Sequence, residues 1–223
     1  IIDTTTPANN RPSVKSSNNV AVGYNSRAGD NNLEEGGAVA IGYTTTASKL
    51  LSTALGGSAN AGGRYALAAG ANAAASANYA TAVGGGGSGN ATTATAAMAS
   101  QSYATAMGYN ARATDFHATA LGSTTRAAGT GSTALGAGAV TTQYSTPGGV
   151  PTGGLGAIAI SAVNSNAGTQ RTTASSPFSI AMGLETLAYG QSTISMGRWS
   201  GSEGVDYAGR ASATAPVRTQ AGK

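Results

Sequence analysis

Tyr103–Gly122 reads YATAMGYNARATDFHATALG, a stretch that opens on ATAMG and closes on ATALG. The two echoes end at Gly108 and Gly122, 14 residues apart, and the small-apolar-Gly phrase recurs along the chain. Its glycines stand at Gly42, Gly56, Gly70 and Gly84, at Gly108, Gly122 and Gly136, and at Gly183 and Gly197, giving six separations of 14 residues. Ala21-Val22-Gly23 is a further copy, and Ala159-Ile160-Ser161 is a degenerate one without the Gly. A fixed period of this size is the mark of a repeat architecture, in which each unit buries its apolar positions against its neighbours.

Set in columns, the repeat predicts its own local structure. The residue before the Gly is aliphatic in most copies (Val22, Ile41, Leu55, Met107, Leu121), the one before that is Ala, and the third is Val, Ile, Leu or Thr. Three apolar positions ending at Gly read as a short strand apolar on both faces, followed by a corner. After the Gly, the third and fifth positions are small, as in Ala59 and Ala61 or Ala111 and Ala113, an alternation that suits a second short strand. Each unit is therefore strand, corner, strand, corner. A helical reading fails on punctuation, because a Gly in every second heptad costs about 1 kcal/mol each relative to Ala.

Stacking such units predicts an all-β fold, a parallel β-solenoid with coils about 4.8 Å apart and a rod roughly 60 Å long for a dozen coils. Its interior is lined by Ala and Gly. Burying a methyl yields only about 0.8 kcal/mol, against about 1–2 kcal/mol for fixing each residue's backbone. The fold therefore depends on its hydrogen-bonding lattice and on extra buried surface. The second apolar face of each strand needs a cover, for which two more copies of the chain are the simplest supply.

Composition narrows the function. The chain is 9% charged, carries no cysteine, and scatters its 12 Lys and Arg singly, so it lacks the clustered basic face of a nucleic-acid binder. No apolar run approaches the 18 residues of a membrane span, and Ile1 begins no recognisable signal peptide. With one histidine and dispersed carboxylates, no transition-metal site, no cofactor and no enzymatic activity are expected.

The phrase Asn18-Asn19-Val20-Ala21-Val22-Gly23-Tyr24-Asn25-Ser26 resembles the N-S-V-A-I-G-x-x-S repeat of YadA-like heads of trimeric autotransporter adhesins, and the 14-residue unit is similar to their haemagglutinin-type head repeats. The likeness covers about residues 18–197. It implies a left-handed parallel β-roll, homotrimeric, displayed at the bacterial cell surface on the outer membrane, that sticks to host extracellular matrix, a cell-surface receptor or other bacteria. The reading divides the chain into an N-terminal flank at 1–17, a β-roll head at 18–200 and an exit segment at 201–223, with signal, stalk and membrane anchor expected outside this sequence. No direct membrane insertion by these residues is expected.

Four insertions break the period: one holding Asp30 to Glu35, one between Gly84 and Gly108, one holding Pro147 to Pro151, and one holding Gln170-Arg171. Insertions in a solenoid must leave at corners, where the ladder survives, so they project. Projecting loops either touch ligand or are tolerated length variation. The ligand-contact candidates are Asn18, Val20, Ala21, Val22, Gly23 and Ser26 of the resembling phrase, with Asp30, Glu34, Glu35 and Arg171 of the insertions.

Other features invite chemistry and read better as architecture. His117 shares its column, five residues before the Gly, with Tyr65, Tyr79, Tyr103 and Phe178, so it reads as one rung of a ring ladder. Asp115 lies two residues away, but a triad needs an oxyanion site that a corner does not supply. Gly84 to Gly89 contains G-x-G-x-x-G with no helix signal after it, and reads as a lengthened corner. Trp199 reads as a cap over the last regular coil, with an adhesive contact as the alternative. Two rival functions remain: a passive fibre or spike, and an ice-binding solenoid displaying the column Thr53, Thr81, Thr105, Thr119, Thr133. The aliphatic column two residues after each Thr argues against ice.

Overall fold

The computed structural model describes residues 10–15, 18–29, 36–86, 96–142, 155–161, 172–184, 186–198 and 201–202. They fall in two compact units, Ile1–Ala111 and Arg112–Lys223. In each unit, parallel strands form two sheets, and successive strands along the chain alternate between them.

In the first unit, one sheet runs Ser13–Val14, Arg27–Ala28, Thr46–Ala47, Asn60–Ala61, Ala74–Ala75, Met98–Ala99. The other runs Val20–Val22, Val39–Ile41, Thr53–Leu55, Leu67–Ala69, Thr81–Val83, Thr105–Met107. In the second unit the short strands from Arg112–Ala113 to Gly201–Ser202 form one sheet, and Thr119–Leu121, Thr133–Leu135, Ile158–Ser161, Ile180–Leu184 and Ile194–Arg198 form the other. This is the expected solenoid arrangement of strand, corner, strand, corner. The register passes across the insertions: Thr81 pairs with Thr105 and Thr133 with Ile158, so the ladder keeps its alignment on either side of them. Short strands on either side of the expected bounds, 18 and 200, also join the ladder. Ser13–Val14 already pairs with Arg27–Ala28, and Gly201–Ser202 pairs with Leu187–Ala188. Ser13–Val14 has no small-apolar-Gly phrase before it, whereas Gly201–Ser202 is the second strand of the coil that Ser195-Met196-Gly197 opens.

Both corners are the same four-residue turn. At the first, the amide of Ala73 donates to the Gly70 carbonyl at 3.2 Å; at the second, Ala80 donates to Ala77 at 3.2 Å. The third residue of each turn has positive φ, 60° at Asn72 and 59° at Tyr79, seven residues on. Such a turn needs a residue that tolerates the left-handed region. Asn, Gly, Ser and Thr fill it at the first corner, whereas the second admits Tyr, Phe, His and Leu as well as Asn18, Ser192 and several glycines. The glycine of the repeat meets a stricter demand. At Gly70 φ is 121°, and a Cβ there would sit 2.7 Å from the Gly84 carbonyl carbon of the next coil. Any side chain would collide with backbone that cannot move without breaking the ladder.

The interior is as narrow as the composition suggests. Among the described residues, the buried apolar side chains are all Ala except Val140, and the largest fully buried side chains are threonines. Four inward positions per coil, for example Ser52, Ala54, Ala59 and Ala61, close the space between the two sheets. Coil-to-coil bonds continue through the corners, as in Asn72 to Gly57 and Tyr79 to Arg64, both 2.8 Å. The backbone lattice thus supplies much of the cohesion that Ala side chains cannot.

Candidate interaction faces

Alternation along each three-residue strand turns its middle Ala inward and its two flanking residues outward. Val20 with Val22, Val39 with Ile41, Thr53 with Leu55 and Thr105 with Met107 thus stand side by side on one outer face of the first unit. Ile158 with Ile160, Ile180 with Met182 and Ile194 with Met196 do so in the second. The strands were expected to be apolar on both faces, and they are. In the single chain, however, the outer face is open: Val22 is 52% exposed, Met107 43% and Met196 63%. The Thr column shares this face with the aliphatic column, so it presents no uniform hydroxyl surface.

The corners carry the second candidate feature. Tyr65, Tyr79 and Tyr103 stack with centroids 4.9 Å apart and interplanar angles of 5° and 2°. These three are part of the ring ladder expected of that column, in which His117 and Phe178 were to be further rungs. A second stack, Tyr24 on Tyr43 at 4.9 Å and 8°, was not foreseen. Its signal was present, since both tyrosines directly follow the repeat Gly. His117 occupies its turn with φ 56° and is exposed. Asp115 serves the turn: its Oδ1 accepts from the Phe116 amide at 2.8 Å and from Thr130 Oγ1 at 3.0 Å, tying one coil to the next. Among the described residues, no group of three or more His, Asp or Glu is placed to hold a metal, and no helix is long and apolar enough to cross a membrane.

The candidate contact residues separate by burial. Asn18, Val20 and Val22 are exposed, and Ala21 and Gly23 are half-buried. Ser26 needs correction: it is fully buried, and its hydroxyl donates to the Gly23 carbonyl at 3.0 Å, so it closes a corner and offers a ligand no surface. The same column holds Thr45, Thr125 and Thr172, whose hydroxyls also reach Gly carbonyls. Asp30, Glu34, Glu35, Arg171 and Trp199 lie outside the described residues.

The geometry defines the class: each unit is an all-β solenoid of parallel 14-residue coils with an Ala-lined interior and an outward apolar sheet face. Residues 36–59, 47–73, 61–86, 99–122 and 113–139 match the YadA head domain repeat, so these coils are similar to the head repeats of a structural adhesin family. No curated protein matches the chain. The profile ends at 139, whereas coils of the same register continue to Gly201–Ser202.

Proposed function

We propose that the chain is the adhesive head of a trimeric surface protein, a homotrimer of left-handed β-rolls shown on the outside of a bacterium. In this reading it holds host matrix, a cell-surface receptor or another bacterium by many weak contacts. The open aliphatic face of the three-residue strands carries the reading. A contiguous exposed apolar face of this kind marks an interaction surface, and copies of the chain in threefold array would cover every coil of it at once. The head repeats support the same assembly, since YadA-type heads are generally homotrimeric adhesins. With the apolar face turned inward, the corners remain outside. Asn18 and the insertions that hold Asp30, Glu34, Glu35 and Arg171 are then the ligand contacts, repeated three times, and avidity from three linked copies raises binding by about 10²–10⁴ over one. Val20, Ala21, Val22 and Gly23 belong to the coil that presents them.

Light scattering coupled to gel filtration tests the assembly. The expected mass is close to three times 21.4 kDa, falling to one chain when Ile41 and Leu55 are both changed to Asp. A folded single chain at the start would remove the structural basis of the reading. Binding to immobilised matrix proteins and to whole cells then tests the adhesive step. It should persist in the trimer, weaken by about 10² or more in the Asp variant, and fall when the insertions are shortened. A trimer that binds no surface would leave a passive spike.

A further inference from the structure

The stacked tyrosines place partly exposed phenol rings against one another. Tyr65, Tyr79 and Tyr103 are 45%, 47% and 51% exposed, and Tyr24 and Tyr43 are 39% and 60% exposed. The backbone holds them there. The amides of Tyr65, Tyr79 and Tyr103 donate to Leu50, Arg64 and Asn78 of the preceding coils at 2.9, 2.8 and 3.1 Å, so each ring's anchor is pinned to the coil before it. The rings therefore leave neighbouring coils from fixed anchors and stay within reach of one another.

We propose that these stacks are oxidative cross-linking sites. A one-electron oxidant of the peroxidase class, supplied with hydrogen peroxide, would join Tyr79 to Tyr65 or Tyr103, and Tyr24 to Tyr43, as dityrosine. Each phenol loses one electron and one proton, and the two phenoxyl radicals combine through a carbon–carbon bond between ring carbons ortho to the oxygens. Each coupled carbon then passes its hydrogen back to the adjacent oxygen as the ring regains aromaticity. One peroxide accepts the two electrons and two protons and leaves as two waters. Parallel register matters here, because both side chains leave their coils in the same direction and the coupled rings can stay on the surface they already occupy. Holding the reactants in place turns a bimolecular encounter into an intramolecular one. Tyr109 and Tyr189 are as exposed, at 50% and 49%, and among the described residues no tyrosine is stacked on them. The product would tie together coils whose own interior offers little more than alanine and hydrogen bonds.

The test is brief peroxidase and peroxide treatment of the native chain, followed by trypsin and mass spectrometry. Cleavage after Arg64 and Arg112 releases residues 65–112, which hold Tyr65, Tyr79, Tyr103 and Tyr109; Tyr24 and Tyr43 fall in separate peptides, 16–27 and 28–49. The expected result is peptide 65–112 lighter by two hydrogens, with the link on Tyr79 and dityrosine fluorescence, together with 16–27 joined to 28–49. Tyr79→Phe keeps a ring in the stack, so it should abolish the mass loss in 65–112 and leave the 16–27 to 28–49 link intact. Equal yield from chain oxidised in denaturant, links through Tyr109, or links only between separate chains would each overturn the proposal. It is independent of the adhesive reading, since a chain that binds no host surface would still cross-link in this pattern.

Discussion

Coils through residues 59–83 and coils through residues 172–195 share one backbone plan and differ in what fills it. In the first region every inward side chain is alanine: Ala59, Ala61, Ala66, Ala68, Ala73, Ala75, Ala80 and Ala82, each at most 1% exposed. In the second the same columns hold Thr172, Ala174, Ser179, Ala181, Thr186, Ala188, Thr193 and Ser195; Thr193 is half-buried, Ser195 is 4% exposed and the others are below 1%. The first region lies within the matched head repeats and the second beyond them. The lattice evidently selects side chains by volume, and it admits a hydroxyl where a corner can bond it. Thr172 donates to the Gly183 carbonyl at 2.6 Å, and Ser179 donates to Ser176 at 2.7 Å while accepting from its amide. A repeat profile follows residue identity and stops; the fold follows size and hydrogen-bond reach and continues.

The comparison breaks first if the two interiors differ in size. Ala68→Leu and Ala181→Leu each force four-carbon side chains between sheets whose separation the coil path sets. Both positions are 0% exposed, and overpacking a filled core costs about 1–3 kcal/mol. The expectation is the top of that range, about 3 kcal/mol, at both sites, read as a fall in the urea midpoint at one fixed protein concentration, because assembly makes stability concentration-dependent. Costs differing by more than about 1 kcal/mol would mean that the hydroxyl-lined coils are wider and that volume does not unify the two regions.

A smaller effect tests whether corner carbonyls explain the hydroxyls. Thr172→Val keeps the shape and removes the donor to Gly183, so it should cost about 1 kcal/mol, the net worth of a typical intramolecular hydrogen bond. The reciprocal change, Ala73→Thr, places a hydroxyl in the same column of the alanine region. Thr125 in that column donates to the Gly122 carbonyl at 2.8 Å, so the new threonine has a bond to make, and its midpoint should shift by less than about 1 kcal/mol. If Ala73→Thr proves as damaging as Ala68→Leu, the alanine region is the tighter one.

These features were unequally legible in the sequence. The period, the strand ending at each Gly and the inward Ala were readable because one residue type recurs in one column. The tyrosine stack from Tyr65 to Tyr103 was readable for the same reason. The left-handed turn at the second corner was not, because Leu51, Tyr65, His117 and Phe178 mask the cue that Asn18, Gly131 and Gly156 give in the same column. Only the coil's geometry, not a local preference, forces those four bulky residues there. Ser26 was misread because a serine beside the family phrase resembles a surface residue, and nothing in one copy reveals that Thr45 and Thr125 in its column are buried too. The strand Ser13–Val14 was not legible because two residues carry no pattern without a Gly phrase before them, and Gly201–Ser202 was not because its Gly and Ser replace the small apolar pair of other copies.

The smallest effect concerns the one hydroxyl that departs from the rule. Thr186 is fully buried in the column of Thr172, yet its Oγ1 has no hydrogen-bond partner among the described residues. A buried polar atom left unbonded costs about 1–3 kcal/mol, whereas replacing it with an apolar group of the same shape is nearly neutral or stabilising. Thr186→Val conserves the β-branched outline, which suits its place beside the strand Leu187–Ala188. Removing the hydroxyl should therefore raise the midpoint slightly, by up to about 1 kcal/mol, in the opposite direction to Thr172→Val. Opposite signs for two threonines of one column, a single coil apart, would show that hydroxyls persist in this region only by bonding. A loss at Thr186 equal to that at Thr172 would mean that it is bonded in solution as well, and the rule would then hold through the whole region without exception.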